Sequence, residues 1–135
     1  MTIRIQRVES GALALVIAAI FVSFGYPWWA LLAAFLIFDL SALGYLRGGP
    51  AAPVLYNLVH NYTAPALLVL VYVSGVVPAP WMWPVGLIAG CWAFHVAVDR
   101  ALGFGLKSSE GFQHTHLGMI GKGRRGHRPG GSTEN

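Results

Sequence analysis

The chain has 135 residues, 56% of them hydrophobic, with only nine basic and five acidic side chains. A soluble domain commonly devotes about a quarter of its residues to charge. This composition lacks the polar surface that would keep the chain in water, and it excludes a soluble globular domain. The positive excess is local: Arg4 and Arg7 precede the first apolar stretch and Arg47 lies between the second and third, while Arg100, Lys107, Lys122, Arg124, Arg125 and Arg128 come at or after the end of the fourth.

In chain order, apolar runs predict helices at about residues 8–24, 28–46, 51–77 and 82–103, each near the roughly 20 residues a bilayer requires. The first has two arginines before it, as a signal peptide would. Tyr26, Pro27 and Trp28 make a poor small-residue cleavage site, so it reads as a retained helix. "RGGP" and "PAP" break the later runs, and Pro53 and Pro84 are expected in first turns, where a missing N–H costs nothing. Pro65 is expected well inside the third helix, bending it and freeing the Asn61 carbonyl.

The expected fold is an all-α, integral membrane four-helix bundle with short loops, antiparallel neighbours and a cytoplasmic, partly disordered basic tail. Residues 1–120 form the transmembrane domain, including a short cytoplasmic segment placed to fold back, and 121–135 form the disordered tail. The loops "SFGYP" and "SGVVPAP" are uncharged. The positive-inside rule therefore places both termini in the cytoplasm, which an even number of spans also requires. Trp28, Trp29, Trp81 and Trp83 gather at the opposite interface. The basic tail reads as an orienting signal attracted to anionic lipid, not a nucleic-acid patch. Cys91 is the single cysteine, so no internal disulfide forms.

The informative residues are the polar ones inside the spans. An ionisable side chain at the bilayer centre costs about 2.5–3.5 kcal/mol. Yet helix two keeps Asp39, helix three keeps Asn57, His60 and Asn61, and helix four keeps His95 and Asp99. At 1.5 Å per residue, Asp39 lies about 9 Å from the cytoplasmic end of its helix, His60 about 13 Å, His95 about 12 Å and Asp99 about 6 Å. Three helices thus bring their costly groups to one layer in the cytoplasmic half. Cys91, His95 and Asp99 share a stripe, as do Tyr56, Asn57 and His60. Opposite His95 run Gly86, Gly90, Ala93 and Ala97, a small-residue face suited to a neighbouring helix or a second protomer.

Imidazoles with carboxylates are a ligand set for zinc and other first-row metals. His60 and His95 offer nitrogen, and Asp39 and Asp99 offer oxygen or a general base. In the tail, His114 and His116 could close the site from the cytoplasm. The same residues also suit a purely structural hydrogen-bond network, a proton relay, or haem held between His60 and His95. Cys91 reads first as a small buried hydrophobe. Arg100 and Lys107 read first as lipid anchors, with support of the site as the alternative.

The stretches "FDLSALGYLRGGPAAPVLYNLVHNYTAPALL" and "FHVAVDRALGFGLKSSEGFQHTHLG" carry a resemblance. With Asp39, Gly44, Tyr45, Tyr56, Asn57, His60, Pro65, His95, Asp99, Arg100, Gly103, Gly105, Lys107, Phe112, Thr115 and His116, the chain resembles the domain-of-unknown-function family DUF4260. These are small bacterial integral membrane proteins, which implies a bacterial inner membrane. His114 falls outside the family's pattern, so His116 is the favoured tail ligand. The arrangement is also loosely similar to membrane hydrolases that hold zinc with histidines from several helices.

The combined expectation is a pocket with Asp39 and Asp99 as catalytic carboxylates and His60, His95 and His116 as metal ligands. Tyr56, Asn57, Asn61, Arg100 and Lys107 support it. Zinc is the expected cofactor and haem the alternative, and the expected reaction is hydrolysis of a lipid-like or amphipathic molecule. The bilayer and a second copy, through Gly86 and Gly90, are the expected partners, with no nucleic acid. The competing reading is a non-enzymatic carrier, transport component or scaffold.

Overall fold

The computed structural model describes residues 2–40, 51–108, 111–115 and 118–119. Among them run five helices: α1 (Thr2–Ser23), α2 (Trp28–Asp39), α3 (Ala51–Val59), α4 (Thr63–Val73) and α5 (Ala79–Leu102). After these come three short strands: β1 (Lys107–Ser108), β2 (Gly111–Thr115) and β3 (Gly118–Met119). With 22 and 24 residues, α1 and α5 are long and apolar enough to cross a membrane. The apolar α2 has 12 residues, and residues 41–50, the expected end of that helix and its loop, lie outside the described residues.

Two helices end by the same backbone device. After α1, Gly25 adopts φ 82°, its N–H bonds Val22 O at 2.9 Å, and Tyr26 N–H reaches back to Phe21 O at 3.2 Å. This is a Schellman stop, which needs the left-handed conformation that glycine tolerates. Its usual apolar contact is the Phe21–Tyr26 ring stack, with centroids 4.8 Å apart. At the end of α5, Gly103 has φ 96°, with Gly103 N–H on Arg100 O at 3.1 Å and Phe104 N–H on Asp99 O at 2.8 Å. The second stop sits on the residues that carry the site.

The helix expected over 51–77 is instead two helices with a break at residues 60–62. Pro65 is therefore the third residue of α4 and not a kink inside a longer helix; in a first turn its missing N–H leaves no helical bond unmade. Pro84 is displaced the other way. Because α5 begins at Ala79, with Pro80 in its first turn, Pro84 lies inside the helix.

The helix α5 is the hub, and α1, α2 and α4 each pack against it. Its small residues admit aromatic rings of the same chain: a methyl group at Gly90 would run into the Phe21 ring, and one at Gly86 into the Tyr26 hydroxyl. The close approach these glycines permit is thus used within one chain. Beside Phe21 and Tyr26, Gly86 and Gly90 also line a cavity of about 240 Å³ between α1, α4 and α5. Cys91 joins Phe21, Tyr26, Ala30, Leu31 and Ala34 in the apolar core. Outside this core, Leu15, Leu36, Leu70, Val73, Trp28, Trp29, Trp81 and Trp83 are largely exposed.

Among the described residues the fold is helical as expected through Leu102, and after α5 the strands β1, β2 and β3 add a small antiparallel sheet in that order. The stretch is punctuated by Gly111 and Gly118 and has no apolar period of 3.6 residues, so it has no helical face to bury. The strand β1 lies beside α3, which returns the chain to the helix that leads into His60. Residues 121–135 and His116 lie outside the described residues, and His114 falls in β2.

Candidate metal centre

Each polar residue of the predicted layer is delivered by a different local device. Asp39 is the last residue of α2, and Phe35 and Phe38 on that helix pack on the His95 ring, with centroids 4.6 and 5.4 Å away. His95 and Asp99 stand one turn apart on α5. His60 is the first residue past α3, its ring stacked on Tyr56 at 3.7 Å and 7°.

These side chains meet at one point. The Nε2 atoms of His60 and His95 are 3.1 Å apart. His60 Nε2 lies 3.5 Å from Asp99 Oδ2 and 3.7 Å from Asp39 Oδ1. His95 Nε2 lies 3.7 Å from each of the same two oxygens. One donor atom from each of the four residues falls within 4.8 Å of every other. Zinc bound tetrahedrally at about 2.0–2.1 Å sets its ligand atoms about 3.3–3.4 Å apart. The five separations that involve a histidine nitrogen, 3.1–3.7 Å, bracket that edge length, so this largely buried Asp/His cluster could hold a metal ion.

The four nitrogen–oxygen separations are longer than the about 2.7–2.9 Å of charge-assisted hydrogen bonds. The two Nε2 atoms, in contrast, are within hydrogen-bond distance, so either a proton on one ring or a cation between them satisfies the pair. The His60 tautomer suits both. The ring Nδ1 is 3.0 Å from the Tyr56 carbonyl oxygen, which can only accept, so Nδ1 carries the proton and Nε2 keeps its lone pair. His95 Nδ1 is buried without a hydrogen-bond partner among the described residues, and its ring packs on Phe35 and Phe38 instead.

Access to the centre is uneven. The side chains of His95, His60 and Asp99 are 0%, 2% and 11% exposed, whereas that of Asp39 is 57% exposed. Three donors are enclosed and the fourth stands at the mouth.

The supporting residues fall into place less evenly. Asn61 works at the helix break: its amide N–H groups bond Asn57 O at 2.6 Å and Leu58 O at 2.9 Å, and its Oδ1 accepts from Thr63 N at 2.8 Å. Asn57 is half-buried and contributes its carbonyl there. Arg100 is buried, and its Nη2 donates to His60 O at 3.0 Å, so it is not the lipid anchor expected of it. Lys107 lies in β1. Cys91, although on the His95 stripe, belongs to the apolar core and not to the cluster.

Trp92 was not among the sequence candidates. Its Nε1–H donates to Val59 O at 2.6 Å and its ring stacks on Phe38. The sequence did carry a signal for it: an indole N–H on an apolar helix must find an acceptor, and Trp92 is three residues from His95.

A family model described as a domain of unknown function, DUF4260, matches residues 3–120. No curated protein and no solved structure gives a significant match. Asp39, His60, His95 and Asp99 all lie within the matched residues, and the chain belongs to the DUF4260 family.

Proposed function

We propose that this chain is a multi-pass membrane protein that holds a zinc ion in its cytoplasmic half and hydrolyses an ester or amide of a lipid-like or amphipathic molecule. The observation that carries the reading is the convergence of two imidazole nitrogens and two carboxylate oxygens at the spacing of a tetrahedral metal site. The exposed leucines, valines and tryptophans support contact with lipid around the bundle. Arg7 Nε donates to Ala101 O at 2.8 Å, so the basic start of α1 lies beside the basic end of α5. That pairing favours both ends on one side of the membrane, the cytoplasmic side by their charge.

In this reading His60, His95 and Asp99 hold the ion. When bound, zinc supplies a Lewis acid and lowers the pKa of water. Asp39, the one donor open to the outside, takes the proton from the attacking water as general base. Phe35, Phe38 and Tyr56 hold both imidazoles against rotation. His60, His95 and Asp99 with one water would make a four-ligand set, so the reading does not call on His116. The 3.1 Å gap between the two Nε2 atoms leaves no room for a macrocycle, which disfavours haem.

The test is metal analysis of protein purified in detergent and supplied with zinc, followed by turnover of a fluorogenic acyl ester in lipid vesicles. The expected result is one zinc per chain, absent in His60→Ala and His95→Ala, with turnover lost in both and in Asp39→Asn. A wild-type chain that takes up no metal overturns the reading; metal without turnover removes the hydrolase and leaves the metal centre.

A further inference from the structure

We propose that Arg100 and Trp92 are positioning residues of the centre: from α5 they clamp the open end of α3, and so set where His60 Nε2 points. The inference rests on the metal-centre reading above.

A helix that ends inside a bundle leaves its last carbonyls without helical partners, and lipid has no water to satisfy them. Here each is taken. Tyr56 O receives the His60 backbone N–H and the ring Nδ1–H, at 2.9 and 3.0 Å. Asn57 O and Leu58 O receive the Asn61 amide. The two that remain are met from another helix: Val59 O by Trp92 Nε1–H at 2.6 Å, and His60 O by Arg100 Nη2–H at 3.0 Å.

The clamps and the donors share one stretch of α5. Trp92 is three residues before His95, and Arg100 immediately follows Asp99. The register that brings His95 and Asp99 to the centre therefore also brings the two side chains that fix the third donor. His60 is held by its ring on one side and by its own carbonyl on the other. Sites of this kind tolerate displacement of only about 0.5 Å. If the Val59 or His60 carbonyl lost its partner, the last turn of α3 would have to move to find another, carrying the imidazole with it.

Cobalt titration in detergent reads the consequence, because the ligand-field spectrum reports geometry as well as occupancy. Trp92→Phe and Arg100→Met are expected to weaken Co²⁺ binding by about tenfold or more and to alter the spectrum, with helix content kept. Arg100→Lys, which keeps a cationic donor without the planar fork, should recover part of the affinity. His95→Ala should show no spectrum. Wild-type affinity and an unchanged spectrum in both Trp92→Phe and Arg100→Met would overturn the clamp and leave the metal centre standing.

A wild-type chain without a cobalt spectrum overturns the centre, and with it this role. If Arg100→Met does not fold, Trp92→Phe and Arg100→Lys carry the same test. A second readout needs no metal. In ¹⁵N-histidine-labelled metal-free protein, His60 should show the Nδ1–H tautomer, and Arg100→Met should mix the two tautomers; an unchanged His60 signal overturns the clamp.

Discussion

The two ends of α5 solve opposite problems with the same helix. Toward its start, Gly86 and Gly90 remove side-chain volume so that Tyr26 and Phe21 can enter, an apolar contact made within the chain. Toward its end, His95 and Asp99 bring polar atoms against His60 and Asp39, and the two imidazole nitrogens lie 3.1 Å apart with both carboxylates beside them. An apolar contact is satisfied by filling space, whereas a polar cluster in a dry interior is satisfied only when each lone pair meets a proton or a cation. The first region explains why the chain packs; the second gives it a buried polar cluster that could hold a metal ion.

The largest test of this contrast is His95→Ala, which should abolish metal uptake while the Phe21–Tyr26–Gly90 contact survives; metal analysis and near-ultraviolet circular dichroism read the two separately. Next is acidification. Metal binding requires the imidazoles neutral and the carboxylates ionised, so protons compete with the metal and affinity should fall as the pH falls. A zinc competition series across the acid range checks the sign, and an affinity that rises on acidification would remove these residues from the ligand set. Gly90→Ala should do the reverse of His95→Ala: overpacking against Phe21 should cost about 1–3 kcal/mol of stability, seen as a lower Tm in detergent, with metal affinity unchanged. Among the four donors the smallest effect on metal binding is expected for Asp39→Asn, which keeps the enclosed His60, His95 and Asp99. It should retain metal with only moderately weaker affinity, measured by zinc competition, and a complete loss there would make Asp39 an equal ligand and not the group at the mouth.

Much of the site was legible along the chain. Counting 1.5 Å per residue from the predicted helix ends placed Asp39, His60, His95 and Asp99 in one layer because helical rise is constant whatever the packing. The stops at Gly25 and Gly103 were equally accessible, since a glycine after an apolar run with an apolar residue next is a local signal. Pro65 and Pro84 were placed wrongly for one shared reason: a proline's effect depends on where its helix begins, and in both regions the boundaries lay elsewhere. Neither hydropathy nor propensity marks the break at 60–62, where the chain remains polar enough to stop but apolar enough to continue. Stopping is tolerable there because of Asn61 together with two distant side chains, Trp92 and Arg100.

The sequence alone determined the apolar helices, their depth relationships and the kinds of donor atom available, because these depend only on residue type and helical rise. Only the tertiary structure decided that the glycine face of α5 receives its own chain, that Arg100 turns inward, and that four donors meet at one point. Those outcomes depend on how each helix is rotated about its axis and how it crosses its neighbours. That is set by separate contacts between segments, Phe21 against Gly90 and Phe35 and Phe38 against His95, which no single segment encodes.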